Sequence, residues 1–179
     1  MVIIVLDESI KKELLSMEDV TPIYRKLSSE AIENDELLND IIKLLDEKDF
    51  RYRWSATKVL DLISLRKPEK LSGIADKLFE LFENDKITVV RNSALIVLLK
   101  LSKYTPEAVS KLADKMFDYI NSKNVQHRHD AITFIQNVLK VRPELKERFI
   151  QTLKERQKIE ENPVIQLRIK EALRSAEKL

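Results

Sequence analysis

The chain has 179 residues, 44% of them hydrophobic and 35% charged, with a single glycine, Gly73, and no cysteine. This composition gives a sizeable core under a heavily charged surface. It excludes disulfide frameworks, thiolate metal sites, cysteine nucleophiles and glycine-rich phosphate loops, and it argues against tightly turned β-sheets, which consume glycine at positive φ. The net charge of +2 hides an asymmetry: residues 1–48 carry 12 acidic and 6 basic side chains, a net of −6, and residues 49–179 carry a net of +8. The expected reading is two solvated surfaces that simply differ in charge; steering of partners or head-to-tail self-association is the alternative.

Along the chain, the opening "MVIIVLDES" is apolar for only five residues after Met1 and has no basic segment, so no signal peptide is expected. The longest apolar run, "ALIVLL" at 94–99, is too short to span a bilayer, and no membrane partner is expected. The missing cysteine fits a cytoplasmic protein. Residues 7–16 and 21–33 are expected to form a degenerate first helix pair, with Thr21 as N-cap and Pro22 at the first helical position.

From residue 35 onward one pattern recurs. Pro-Glu stands at "RKPEKL" (66–71), "YTPEAV" (104–109) and "VRPELK" (141–146), placing Pro68, Pro106 and Pro143 at steps of 38 and 37. Proline at the start of a helix loses no hydrogen bond, and it disfavours the α conformation in the residue before it, so it separates one helix from the next. After each proline come an amphipathic run, a polar turn ("ENDK" at 83–86, "NSKN" at 121–124) and a second run; "DEKD" at 46–49 is the equivalent earlier turn. The second runs place Arg53, Arg91 and Arg128 at the same steps of 38 and 37. Each arginine is followed by one apolar set: Ala56, Val59, Leu60 and Ile63; Ala94, Val97, Leu98 and Leu101; Ala131, Phe134, Ile135 and Val138. That spacing is one face of an α-helix. In the first runs Ile41, Leu44 and Leu45 match Leu78, Leu81 and Phe82, then Met116, Tyr119 and Ile120. Helix pairs of this kind cannot bury their apolar faces alone and must stack.

This arrangement resembles the HEAT repeats of the armadillo-type helical family, in which Val-Arg with alanine three residues later opens the second helix of each antiparallel pair. "VVRNSALIVLLKL" at 89–101 is the best copy; "YRWSA" at 52–56 and "HRHDA" at 127–131 replace the valine by Tyr52 and His127. The resemblance implies an all-α fold, a right-handed α-solenoid of about five helix pairs, forming a single domain over residues 1–179. The approximate repeats are 1–34, 35–67, 68–105, 106–142 and 143–179. At the C-terminus Arg168 and Ala172 are read as the equivalent pair, four residues apart instead of three. The resemblance also implies that Arg53, Arg91 and Arg128 bond inside the stack, with Asp49, Asp85 and Asn124 as candidate acceptors.

No catalytic constellation stands out: there is no ordered Ser-His-Asp set and no distinctive carboxylate pair, so neither an enzyme nor a cofactor is expected. His127 and His129 stand two apart in "QHRHD", pointing some 200° from each other on a helix, and are not expected to hold a metal; His127 should pack in the slot of Val90. The side of the second helices opposite the core, which lines the concave face of such solenoids, carries Arg51, Trp54, Lys58, Asp61 and Leu62, then Val89, Asn92, Ile96, Leu99 and Lys100, then Gln126, His129, Thr133, Gln136 and Asn137. Arg51, Trp54, Lys58, Ile96, Leu99, His129, Thr133 and Gln136 are the candidate partner-binding residues; the equal alternative for Trp54, Ile96 and Leu99 is packing against adjacent second helices inside the stack. The expected activity is a scaffold that binds a protein or peptide. The alternative is nucleic-acid binding, on the pattern of HEAT-like DNA glycosylases that hold a duplex with Trp and Asp on a basic face; the mixed surface here lacks the convergent Lys and Arg that phosphates need.

Overall fold

The computed structural model describes Leu6, residues 8–15 and residues 20–178, and among these residues there is no β-strand. The α-helices are α1 (Glu8–Leu14), α2 (Thr21–Ala31), α3 (Asp35–Lys43), α4 (Phe50–Arg66), α5 (Ala75–Asn84), α6 (Thr88–Tyr104), α7 (Pro106–Val109), α8 (Ala113–Tyr119), α9 (Val125–Val138), α10 (Lys146–Gln157) and α11 (Pro163–Ala176). Short 3₁₀ segments occupy Leu44–Asp46, Pro68–Ile74, Ser110–Leu112 and Pro143–Leu145. The chain forms two compact units, Met1–Lys100 and Leu101–Leu179, with the division inside α6.

The period is carried by the starts of the second helices. α4, α6, α9 and α11 begin at residues 50, 88, 125 and 163, at steps of 38, 37 and 38. Three of the four are capped by the residue just before: Asp49 accepts from the Arg51 N–H, Asn124 from Gln126 and His127, and Asn162 from Val164 and Ile165. These caps have nearly identical extended backbones, with φ between −78° and −74° and ψ of 118° or 119°. Each satisfies N–H groups that the first turn of a helix leaves without partners. Ile87 holds the fourth position and has no side-chain acceptor, so Asp85 takes its N–H at 2.8 Å.

The prolines punctuate as expected, with one difference. Lys67, Thr105 and Arg142 each precede a proline and leave the helical region with φ/ψ of −144°/63°, −137°/61° and −128°/60°. Their N–H groups still close the preceding helix onto Ile63, Leu101 and Val138. Pro68 and Pro143, however, head 3₁₀ turns, and Pro106 heads the one-turn α7, each leading into the first helix proper at Ala75, Lys146 or Ala113. At the N-terminus Val20, not Thr21, is the N-cap of α2, and Thr21 and Pro22 lie in its first turn. Residues 7 and 16 of the expected first helix lie outside the described residues.

Burial follows the repeated apolar set. In unit 1 Ala56, Val59, Leu60, Ile63, Ala94, Val97 and Leu98 are at most 1% exposed. In unit 2 Leu101, Ala131, Phe134, Ile135 and Val138 are at 0%, joined by Ile165, Ile169, Ala172 and Ala176 of α11. The first-helix stripe is rotated slightly from the expected one: Leu81 and Tyr119 are partly exposed, while their neighbours Phe79 and Phe117 are buried. Phe79 meets Phe82 edge to face at 5.8 Å, and Phe117 meets Phe149 of α10 at 6.5 Å. Phe79 buries a larger apolar side chain than Leu81 would, and Phe117 buries a ring without the hydroxyl that Tyr119 carries, which accounts for the rotation.

Candidate functional site

The recurring arginines are structural. Arg53 Nη1 donates to the carbonyls of Glu47 and Lys48 at 2.6 and 2.9 Å, Arg91 to that of Asp85 at 2.6 Å, and Arg128 to those of Ser122 and Lys123 at 2.8 and 3.2 Å. Each reaches back six residues to the turn preceding its own helix, supplying donors for carbonyls released where the first helix ends. Arg53 also forks onto Asp85 (Nε–Oδ2 2.6 Å, Nη2–Oδ1 3.1 Å). Arg128 similarly engages Glu160, with Nη2 donating to Oε1 at 3.0 Å and Nε 2.9 Å from Oε2. Both carboxylates stand 32 residues beyond their arginine, at the turn of the next helix pair. The residue 32 beyond Arg91 is Lys123, which cannot accept, and Arg91 instead donates to Thr88 Oγ1 at 3.0 Å.

Two assignments from sequence change here. Asp49 serves Arg51, whose hydrogen bonds pull its carboxyl down to about 2, and Asn124 serves only as a cap. The C-terminal equivalent of Arg128 is Gln166, not Arg168: Gln166 Nε2 donates to the Glu160 carbonyl, again six residues back, at 2.6 Å. Gln166 lies 38 residues after Arg128, and Ile169, three further on, takes the buried alanine slot.

Asp85 and Glu160 are the electrostatic centres of these turns, with side chains 2% and 1% exposed. Burial raises both carboxyl pKa values. The Arg53 hydrogen bonds and the Ile87 N–H outweigh that for Asp85, and Arg156, the Asn162 N–H and Arg128 do so for Glu160, leaving both below the ordinary carboxyl range. Such groups bind protons less readily folded than unfolded. Their contribution is complete above the ordinary carboxyl value near pH 4 and is lost as pH falls through the lower folded values. The midpoint of urea unfolding is therefore expected to stay level from neutral pH to about 5 and to fall below about 4. Glu160→Gln should flatten that fall; an unchanged acid profile would contradict the assignment.

The candidate partner-binding residues divide by environment. On α4, Trp54 and Lys58 stand one turn apart, with the ammonium 5.6 Å from the indole centroid. Asp61 and Leu62 continue the same stripe, and together these four form one wall of a cleft of about 470 Å³ whose other wall is Val20, Thr21, Tyr24 and Arg25. Tyr24 is buried at the base, its hydroxyl hydrogen-bonded to Ser55 at 3.1 Å. Asp61 is paired with Lys100 of α6. Arg51, at the start of the stripe, is tied to Asp49. Ile96 of α6 is 42% exposed, whereas Leu99 is partly buried.

In unit 2, Arg168 of α11 donates to Thr133 Oγ1 at 3.1 Å and to Gln136 Oε1 at 2.7 Å, so these two candidates already bond within the unit. Burial pushes the Arg168 guanidinium below its ordinary value, partly offset by Glu171. His129 is half-exposed and lies 3.2 Å from the Asp130 carboxylate. His127 packs edge to face on Tyr119, with centroids 5.9 Å apart. Among the described residues no group of three or more His, Asp or Glu side chains is gathered as metal ligands, and no helix is long and apolar enough to cross a membrane.

Sequence reasoning selected Trp54 and Lys58 correctly as neighbours on one face but missed the α2 wall. The available signal was Thr21, Tyr24 and Arg25 at helical spacing. No protein-family model matches this sequence, and no curated protein sequence matches it.

Proposed function

We propose that the helix pairs stack as HEAT-like repeats in a right-handed α-solenoid, and that the chain is a non-enzymatic module binding a protein or peptide through the exposed side of its second helices. The supporting observation is the cleft beside Trp54. It combines an indole, the aliphatic Leu62 and two cations, Arg25 and Lys58, with no carboxylate partner among the described residues. Elsewhere on these helices Arg51, Arg53, Lys100 and Arg128 are each held by a carboxylate of the chain. A duplex phosphate backbone would have to displace those carboxylates, whereas a peptide needs one apolar pocket with polar groups around it. Selection from a displayed random-peptide library tests the reading. Binders should emerge that lose at least about tenfold in affinity on Trp54→Ala or Ile96→Glu. A library yielding no saturable binder, or binders indifferent to both substitutions, would count against it.

A further inference from the structure

We infer that the α2–α4 cleft takes an acidic peptide segment presenting one large apolar side chain. This inference rests on the protein-binding reading above and names the partner's chemistry. The apolar part of the site is Trp54 and Leu62 on one side and Val20 on the other, over the buried ring of Tyr24. The Tyr24 hydroxyl is spent on Ser55, so the base offers an aromatic surface with its polar tip already satisfied.

Among the described lining residues the available charge is one-sided. Arg25 is exposed on α2, and Lys58 lies against the indole of Trp54. The one carboxylate among the cleft's described lining residues, Asp61, is neutralised by Lys100, which reaches it from α6. An incoming segment therefore meets two available cations and no available anion among the lining residues. A basic segment would have to break the Asp61–Lys100 pair to find a partner, whereas an acidic one uses Arg25 and Lys58 as they stand. A single-stranded nucleic acid offers the same two features, a stackable ring and negative charge. It fits less well, because the walls also carry aliphatic surface and Asp61, and two cations are few for a phosphate chain.

Trp54 is the only tryptophan, so its emission reads this cleft directly. The probes are a short peptide with a Leu-Phe pair flanked by Asp and Glu, the same peptide with Lys for every acid, the acidic peptide with Ser for Leu and Phe, and an oligothymidylate. The acidic apolar peptide should shift Trp54 emission saturably and bind at least about tenfold tighter than either altered peptide. The double variant Arg25→Glu and Lys58→Glu, checked for unchanged far-ultraviolet circular dichroism, should weaken that binding by about tenfold or more. The inference is overturned if the lysine peptide or the oligothymidylate binds as tightly, if the double variant binds unchanged, or if the acidic peptide gives no saturable shift. Should the acidic peptide fail while library-selected peptides still bind in a Trp54-dependent way, only the chemistry assigned to the cleft is wrong. Failure of both sets removes the protein-binding reading as well.

Discussion

Glu160→Ala is expected to lower the free energy of unfolding by about 3 kcal/mol, read as a lower urea midpoint at unchanged slope by circular dichroism. Glu160 joins three things: Arg128 of α9, Arg156 of α10 and the N–H of Asn162 that precedes α11. Removing it leaves two guanidinium groups, with side chains 7% and 14% exposed, without their carboxylate. Breaking a buried pair on one side costs about 3–5 kcal/mol, mostly because the remaining charge stays desolvated. The lower end applies because Arg128 and Arg156 border an open cleft where water relieves part of the penalty. Glu160→Gln retains an acceptor and should cost less. A loss below about 1 kcal/mol for the alanine variant would place Glu160 among ordinary surface pairs and contradict its assigned role.

Phe134→Ala is expected to cost about 3–5 kcal/mol by the same measurement. Its side chain is fully buried on α9, at the position occupied by Val59 on α4 and Val97 on α6. All three belong to the same buried stripe, yet only this copy carries a ring. Phe134→Val should therefore be the milder change, though not a neutral one, because the surrounding space is shaped for the larger side chain. Leu167→Ala on α11 is the contrast: at 58% exposure it should fall within about 0.5 kcal/mol of the unaltered protein. Equal effects at Phe134 and Leu167 would mean that the repeated apolar set does not mark the core.

The core was legible because its signal is periodic. Ala, two aliphatic or aromatic positions and a fourth apolar residue at i, i+3, i+4 and i+7 recur at steps of 38 and 37, and those positions are buried. The polar turns before α4 and α9 were legible because Asp49 and Asn124 are short acceptors standing just before apolar runs. The last rung was misassigned because its residue type changed. Arg168 attracted the assignment as the nearest arginine, while Gln166 sits at the repeat step and makes the equivalent bond to the carbonyl six residues back. Counting the step, rather than matching the residue, would have found it.

The candidate surface was less legible because its character is set by distant pairs. Helical angle correctly groups Trp54, Lys58, Asp61 and Leu62. It does not reveal that Lys100 neutralises Asp61 from 39 residues away, or that Arg168 reaches Thr133 and Gln136 across 35 and 32 residues. Nor does it place α2 opposite α4, since the spacing of the first helices departs from the later repeat. Which cations remain available is therefore a property of the folded chain, although every partner involved is visible in the sequence.

The direct test of the proposed activity is amide and indole chemical-shift mapping of the full chain with a peptide taken from the displayed-library selection. The account predicts saturable shifts concentrated on the Trp54 indole, Lys58, Leu62 and the Tyr24–Arg25 turn of α2. Shifts concentrated instead on exposed first-helix residues such as Glu80 and Glu147, with the Trp54 indole unmoved, would contradict it.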